Sequence, residues 1–73
     1  MHVEPRHTIE ELERFARKEK SARVATRLRG VILAMRGREA EVIAQMLGRS
    51  RRAVQEWVRW YNEEGLEALR DAP

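Results

Sequence analysis

Apolar residues recur three and four positions apart in four stretches of the chain, and this spacing places them on one side of an α-helix in each stretch. The first stripe consists of Ile9, Leu12, Phe15 and Ala16. Thr8 precedes it and Glu11 stands three residues later, which is the capping-box pattern that begins a helix. We therefore predict a short, highly charged first helix from Ile9 to near Lys20.

A second stripe follows Ser21, whose hydroxyl is suited to cap a helix N-terminus. Its apolar members are Val24, Leu28, Val31, Ile32 and Met35. Arg23 and Arg27, with Arg29 at the margin, are expected to face away from it. Gly30 costs about 1 kcal/mol relative to alanine inside a helix. It is either tolerated there or used for close helix packing, and the pattern leaves both readings open.

A break at residues 36–38 (Arg-Gly-Arg) separates this stripe from the next, because glycine commonly adopts a left-handed conformation just after a helix. The third helix is predicted from about Glu39 to Leu47. Its apolar positions are Ala40, Ile43, Ala44 and Leu47. Gly48 ends it, a short turn follows, and Ser50 is placed to cap a fourth helix.

The fourth helix is predicted from Arg51 to about Glu64, with Gly65 ending it and one more short helical turn after that glycine. Its buried side comprises Val54, Trp57, Val58 and Tyr61. Because no stretch alternates with period two, the fold class is all-α. We expect a small bundle of four to five helices forming a single domain over residues 1–73, with residues 1–7 flexible. His2 and His7, in that segment, are isolated from other metal-ligating residues.

The third and fourth helices have the organisation of a helix-turn-helix over residues 39–64. Two helices joined by a tight turn cross steeply, so a small residue such as Ala44 suits the crossing and Gly48 suits a turn that needs positive φ. In such a unit the second helix lies in the DNA major groove, and residues at its amino end reach the base edges.

The charge pattern also favours a nucleic-acid partner. Thirteen of the 15 basic residues are arginine, and the net charge is +3. Residues 21–38 hold five arginines and no acid, whereas residues 61–73 have a net charge of −3. Arginine presents a planar fork that suits phosphate and guanine. These five arginines either bind phosphates or pair with acids such as Glu19, and ion pairing is favoured except for the two beside the break at residues 36–38. A merely solubilising surface would account for the composition equally well.

Several classes of function are disfavoured. The chain has 73 residues and no cysteine, so it offers neither a disulfide framework nor a thiolate zinc site. A chain this short has little room for a deep catalytic cleft. It shows no nucleophile–base pair and no metal-ligand cluster, so we expect no enzyme activity, no cofactor, no metal and no small-molecule substrate. No apolar run is long enough for a membrane span or a signal peptide, and we expect a cytoplasmic protein.

The candidate DNA-binding residues lie at the turn and along the fourth helix. They are Arg49, Ser50, Arg51, Arg52, Gln55, Glu56 and Arg59, with Arg36 and Arg38 beside the preceding turn as phosphate contacts. Arginine pairs with guanine, glutamine with adenine, and glutamate with the cytosine amino group. Cations at a helix amino end oppose the macrodipole, which favours an anionic partner there. The alternative for each residue is an ordinary solvated position.

Three segments resemble the amino-terminal DNA-binding domain of mariner-like bacterial insertion-sequence transposases. They are residues 33–37 (LAMRG), 42–57 (VIAQMLGRSRRAVQEW) and 59–69 (RWYNEEGLEAL), and the similarity extends over about residues 22–73. The most particular element is the ending Gly-Leu-Glu-Ala-Leu. The family also has a separate magnesium-dependent catalytic domain, which these residues do not match.

The resemblance implies a homeodomain-like or winged helix-turn-helix module that binds terminal inverted repeats. It places Ser50, Arg51, Arg52, Gln55 and Glu56 on the recognition helix. Arg49 departs from the family pattern, which has an apolar turn residue there, and this favours an exposed phosphate contact. Glu39 likewise replaces the usual Ser or Thr helix cap. The resemblance therefore implies DNA binding and not strand transfer.

Two hypotheses follow. The first is sequence-specific binding of double-stranded DNA, as part of a transposase or as a small transposase-derived regulator. The alternative is a homeodomain-like protein-interaction or dimerisation module, which would use the Trp60 side or the acidic carboxyl-terminal region. A homodimer is compatible with both, because one small module buries little DNA surface.

Overall fold

Five helices form the part of the chain that the structure, a computed structural model, describes, which is residues 1–71. They are α1 (Ile9–Lys18), α2 (Ala22–Met35), α3 (Ala40–Leu47), α4 (Arg51–Glu64) and α5 (Leu66–Asp71). The predicted all-α bundle is confirmed, and no strand occurs in this part. Residues 72 and 73 of the predicted domain lie outside the described residues. None of the described helices is long and apolar enough to cross a membrane.

Side-chain caps set the starts of three helices at the predicted positions. The Thr8 hydroxyl accepts from the Glu11 backbone N–H, and the Glu11 carboxylate accepts in return from Thr8 N. Ser21 caps α2 and Ser50 caps α4 in the same way, through the N–H groups three residues ahead. α1 ends at Lys18, earlier than predicted, because Glu19 is already extended. Glu39 precedes α3 without a side-chain cap hydrogen bond.

Helix α2 is the centre of the bundle and packs against each of the other four helices. The largest fully buried side chains come from all five helices: Leu12, Leu28, Val31, Ile43, Val54, Tyr61 and Leu69. The packing also decides between the two readings of Gly30. A Cβ atom at this position would lie 2.5 Å from Cε3 of Trp57, so glycine permits close approach of α2 and α4.

Arg27 is buried, and the expectation that it faces away from the core is wrong. Only 5% of the residue is exposed. Its Nη1 donates to the Leu69 carbonyl (2.9 Å), and its guanidinium carbon lies 5.4 Å from the ring centroid of Trp60. Arg27 is three residues after Val24 and four before Val31, so it belongs to the buried side of α2. The Leu69 carbonyl of α5 and the ring face of Trp60 therefore both contact this buried guanidinium group.

The amino-terminal segment, which the sequence predicts to be flexible, forms hydrogen bonds with α4. Glu4 N donates to Oδ1 of Asn62 (2.8 Å), and Asn62 Nδ2 donates to the His2 carbonyl (2.9 Å). Arg6 donates to the carbonyls of residues 62 and 63 at the end of α4. His7 Nδ1 lies 2.7 Å from the Tyr61 hydroxyl. The sequence pattern shows only a short polar segment, because all of these partners are more than 50 residues away.

Candidate nucleic-acid interface

A compact turn joins α3 to α4 and sets the direction of α4. Gly48 has φ 67° and ψ 35°, in the left-handed region that glycine adopts without strain. The backbone N–H groups of Gly48 and Arg49 both donate to the Ala44 carbonyl. Ser50 then caps α4. Because Ile43 and Val54 are completely buried on the two sides of this turn, the helix pair is locked against the rest of the core.

The outward face of α4 is polar and cationic at its amino-terminal half. Arg51, Arg52, Gln55 and Arg59 are exposed, and Glu56 is half-buried. Within residues 1–71, no carboxylate forms an ion pair with any of these three arginines. Their guanidinium groups therefore remain available to an external anion.

The amino end of α4 has an unusual charge arrangement for a helix. Its first turn carries Arg51 and Arg52 and no acidic residue. The partial positive charge of the helix dipole adds to these two cations instead of being offset by carboxylates. Positive potential is therefore concentrated at the amino end of α4. In helix-turn-helix proteins this end of the second helix reaches the base edges.

Two grooves run along the flanks of α4. The first, which we call the α3-side groove, has a volume of about 690 Å³. It is lined by Arg51, Gln55 and Arg59 from α4 and by Glu39, Glu41 and Glu63, with Met1 and His2 also at its wall. Within residues 1–71 these arginines and carboxylates share the groove without forming ion pairs, and the amino-terminal segment closes part of it.

The second groove, which we call the α2-side groove, lies along the other flank of α4 and has a volume of about 310 Å³. Its polar lining consists of Arg23 and Arg27 of α2, Arg49 of the turn and Glu56 of α4. Burial lowers the pKa of Arg27, and the neighbouring charge of Arg23 lowers it further. Positive charge is therefore crowded at this groove.

The structure brings together the predicted residues from Arg49 to Arg59 but separates Arg36 from them. Arg36 donates to the Glu13 carboxylate (2.7 Å) and lines a different groove, between α1, α2 and α3. Arg38 is exposed between α2 and α3. Ser50 is exposed, but its hydroxyl oxygen already caps α4. The DNA-contact roles of all nine residues remain predictions.

The sequence leaves Arg23 between a phosphate contact and an ion pair with an acid such as Glu19, and the structure places Arg23 in the α2-side groove. Glu19 is not its partner. It lies instead 3.6 Å from Arg70 of α5. The sequence signal for Arg23 is that the first turn of α2 contains no acidic residue. This signal cannot show that Arg49 lines the same groove. Within the described residues, no group of three or more His, Asp or Glu side chains could hold a metal ion.

The sequence profile of the homeodomain-like domain family matches residues 21–70, more than half of the chain. The chain belongs to this family. The match begins at the Ser21 cap of α2 and ends within α5, so it contains the complete α3–turn–α4 unit of the homeodomain-like domain. Helix α1 and the segment before it lie outside the matched range. No curated protein and no solved structure matches the chain.

Proposed function

We propose that this homeodomain-like domain binds double-stranded DNA sequence-specifically, with α4 in the major groove. The observation that carries the proposal is the row of exposed side chains along α4, Arg51, Gln55 and Arg59, with Arg52 beside it. A helix in the major groove presents such a row to the base edges and adjacent phosphates. The absence of ion pairs on these arginines within the described residues supports the same role.

The side chains divide between base reading and backbone contact. Arg51 and Arg52 would donate to guanine O6 and N7, and Gln55 would pair with adenine. Glu56 would accept from cytosine N4, and Arg59 would reach a guanine or a phosphate. Arg49 and Ser50 would contact phosphates, Ser50 by donating its hydroxyl hydrogen while its oxygen caps α4.

We infer further that the domain serves a transposase or a small regulator derived from one, acting on DNA in the bacterial cytoplasm. The resemblance of residues 22–73 to mariner-like insertion-sequence transposases supports this, and terminal inverted repeats would then be the target. Arg38 would contact a flanking phosphate. Arg36 could do so only by exchanging its ion pair with Glu13 for a phosphate.

One observation favours the alternative of a protein-interaction or homodimerisation surface. Val42 and Met46 are four residues apart on α3, and both are exposed, at 39% and 56%. Neighbouring exposed apolar side chains of this kind occur at protein contacts. Trp60 gives this alternative less support than expected, because it is half-buried and stacks with Arg27.

The decisive test begins with selection of a preferred duplex from a random-sequence pool. The domain is then titrated with that duplex and with a random duplex at two salt concentrations, beside the variant Arg51→Ala/Arg52→Ala. We expect binding that weakens steeply with salt, with a log–log slope of about −0.9 per phosphate neutralised. The variant should lose the preference for the selected duplex, at about 1–3 kcal/mol per lost base contact.

The matched control is Arg14→Ala/Arg17→Ala, which removes two exposed arginines from α1. This control should keep both the affinity and the sequence preference. Absence of wild-type binding to any duplex at low salt would contradict the proposal. Sedimentation without DNA at several protein concentrations would then test the interaction surface, because self-association should be abolished by Met46→Glu.

A further inference from the structure

We propose that the α2-side groove is a binding site for one backbone phosphate of the DNA, held by the guanidinium groups of Arg23 and Arg49. This inference rests on the proposed function and adds a contact from outside the helix-turn-helix. The sequence also predicts Arg49 as a phosphate contact, but it favours Arg36 and Arg38, after the end of α2, over Arg23.

The first argument is the charge of the groove. Arg23, Arg27 and Arg49 line it, and among the described residues Glu56 is the carboxylate at its wall. In the described part of the chain, neither Arg23 nor Arg49 forms an ion pair. An anion bound in the groove would give these two exposed guanidinium groups an ionic partner.

The second argument is that the groove has a fixed floor. Arg27 is held in place by its hydrogen bond to the Leu69 carbonyl and by the ring of Trp60. Its side chain therefore forms a fixed wall of the groove, while Arg23 and Arg49 are exposed. Arginine binds phosphate through a planar fork of N–H donors, which Arg23 can provide from α2 and Arg49 from the turn before α4.

The third argument is the position of the groove relative to α4. The major groove is about 12 Å wide, and a helix with its side chains is about as wide, so sugar–phosphate strands lie along both flanks of an inserted helix. The α3-side groove has the three carboxylates of Glu39, Glu41 and Glu63 beside its two arginines, so it carries less positive charge. The α2-side groove is the cationic flank, and it is open to a phosphate beside α4.

The experiment measures binding of Arg23→Ala to the selected duplex and to the random duplex at several salt concentrations. We expect affinity to fall roughly threefold to tenfold on both duplexes alike, with the magnitude of the log–log salt slope reduced by about 1. Arg23→Ala/Arg49→Ala should weaken binding further but reduce the slope by no more than about 1 in total, because both arginines neutralise the same phosphate. The matched control is Arg29→Ala, which removes an exposed arginine of α2 that lines the groove facing α1. It should bind like the wild type.

A second measurement identifies the phosphate. Single methylphosphonate groups, which are uncharged, replace each backbone phosphate of the selected duplex in turn. At one position the substitution should weaken wild-type binding most, Arg23→Ala less, and leave binding of Arg23→Ala/Arg49→Ala unchanged, because the double variant has already lost both contacts to that phosphate. Thermal melting of Arg23→Ala should match the wild type, since the side chain is exposed.

The outcomes separate this inference from the proposed function. If the wild type binds DNA and Arg51→Ala/Arg52→Ala loses sequence preference, but Arg23→Ala retains wild-type affinity and salt slope, the groove is not a phosphate site. The same conclusion follows if methylphosphonate effects are identical in the wild type and both variants at every position. If the wild type itself does not bind DNA, the proposed function fails and the phosphate site fails with it.

Discussion

Gly30 of α2 lies directly against the indole ring of Trp57 of α4. A Cβ atom built on Gly30 would be 2.5 Å from Cε3 and 2.8 Å from Cζ3 of that ring. Trp57 is only 5% exposed, and its ring belongs to the core that also holds Val54 and Ile43. This contact sets how closely α4 approaches α2, and therefore how the exposed cationic face of α4 is oriented.

Gly30→Ala should destabilise the domain despite the better helix propensity of alanine. The propensity gain is about 1 kcal/mol, whereas forcing a methyl group into a packed core typically costs about 1–3 kcal/mol. The aromatic ring cannot move aside like the end of a flexible side chain. Urea denaturation should therefore show a lower free energy of unfolding. In a Trp57→Phe background, which removes the crowding ring atoms, the same substitution should cost less. A more stable single variant would contradict tight packing.

Arg27→Met should loosen α5. The substitution keeps an unbranched chain but leaves the Leu69 carbonyl without its guanidinium donor, at a cost of about 1–3 kcal/mol for a buried acceptor. Amide hydrogen exchange should accelerate in α5 more than in α1. Arg29→Met, which changes an exposed arginine on the same helix, serves as the control and should leave the exchange pattern unchanged. Equal protection of α5 in both variants would argue against an anchoring role for Arg27.

The capping box of α1 should make stability sensitive to acid. The backbone hydrogen bond from Thr8 holds the pKa of Glu11 below its ordinary value. A lowered folded-state pKa stabilises the fold above the unfolded pKa, and this contribution disappears as pH falls through the folded value. The melting temperature of the wild type should therefore drop more between pH 6 and pH 3 than that of Glu11→Gln. Glu10→Gln, outside the capping box, should follow the wild type; identical pH profiles for all three would refute the assignment.

Asn62→Ala should release the amino-terminal segment while the bundle remains folded. The Asn62 side chain forms two hydrogen bonds with the segment: its oxygen accepts from the Glu4 N–H, and its nitrogen donates to the His2 carbonyl. These hydrogen bonds are exposed, so global stability should change by no more than about 1 kcal/mol. Backbone order parameters of residues 2–5 should fall below about 0.6 from near 0.85. Glu64→Ala, at the exposed end of the same helix, is the control. Unchanged order in Asn62→Ala would show that other contacts hold the segment.

The helices and their caps are largely local properties, which explains why the sequence predicts them well. Thr8 with Glu11, Ser21 and Ser50 bond to backbone groups three residues away, and these short-range rules are visible in the chain. The apolar spacing likewise identifies Val54, Trp57 and Tyr61 as the inner face of α4. Periodicity and turn residues together are enough to indicate the helix-turn-helix and the arginines that it exposes.

The sequence by itself therefore determined the all-α class, the helix-turn-helix and its cationic outward face. Tertiary structure alone decided that Arg27 is buried, that Gly30 contacts Trp57, and that residues 1–7 lie on α4. It also decided that Arg36 pairs with Glu13 while Arg23 shares a groove with Arg49. The physical reason is separation along the sequence. Each of these contacts joins residues more than 20 positions apart, which come together only when the elements of the chain pack against one another.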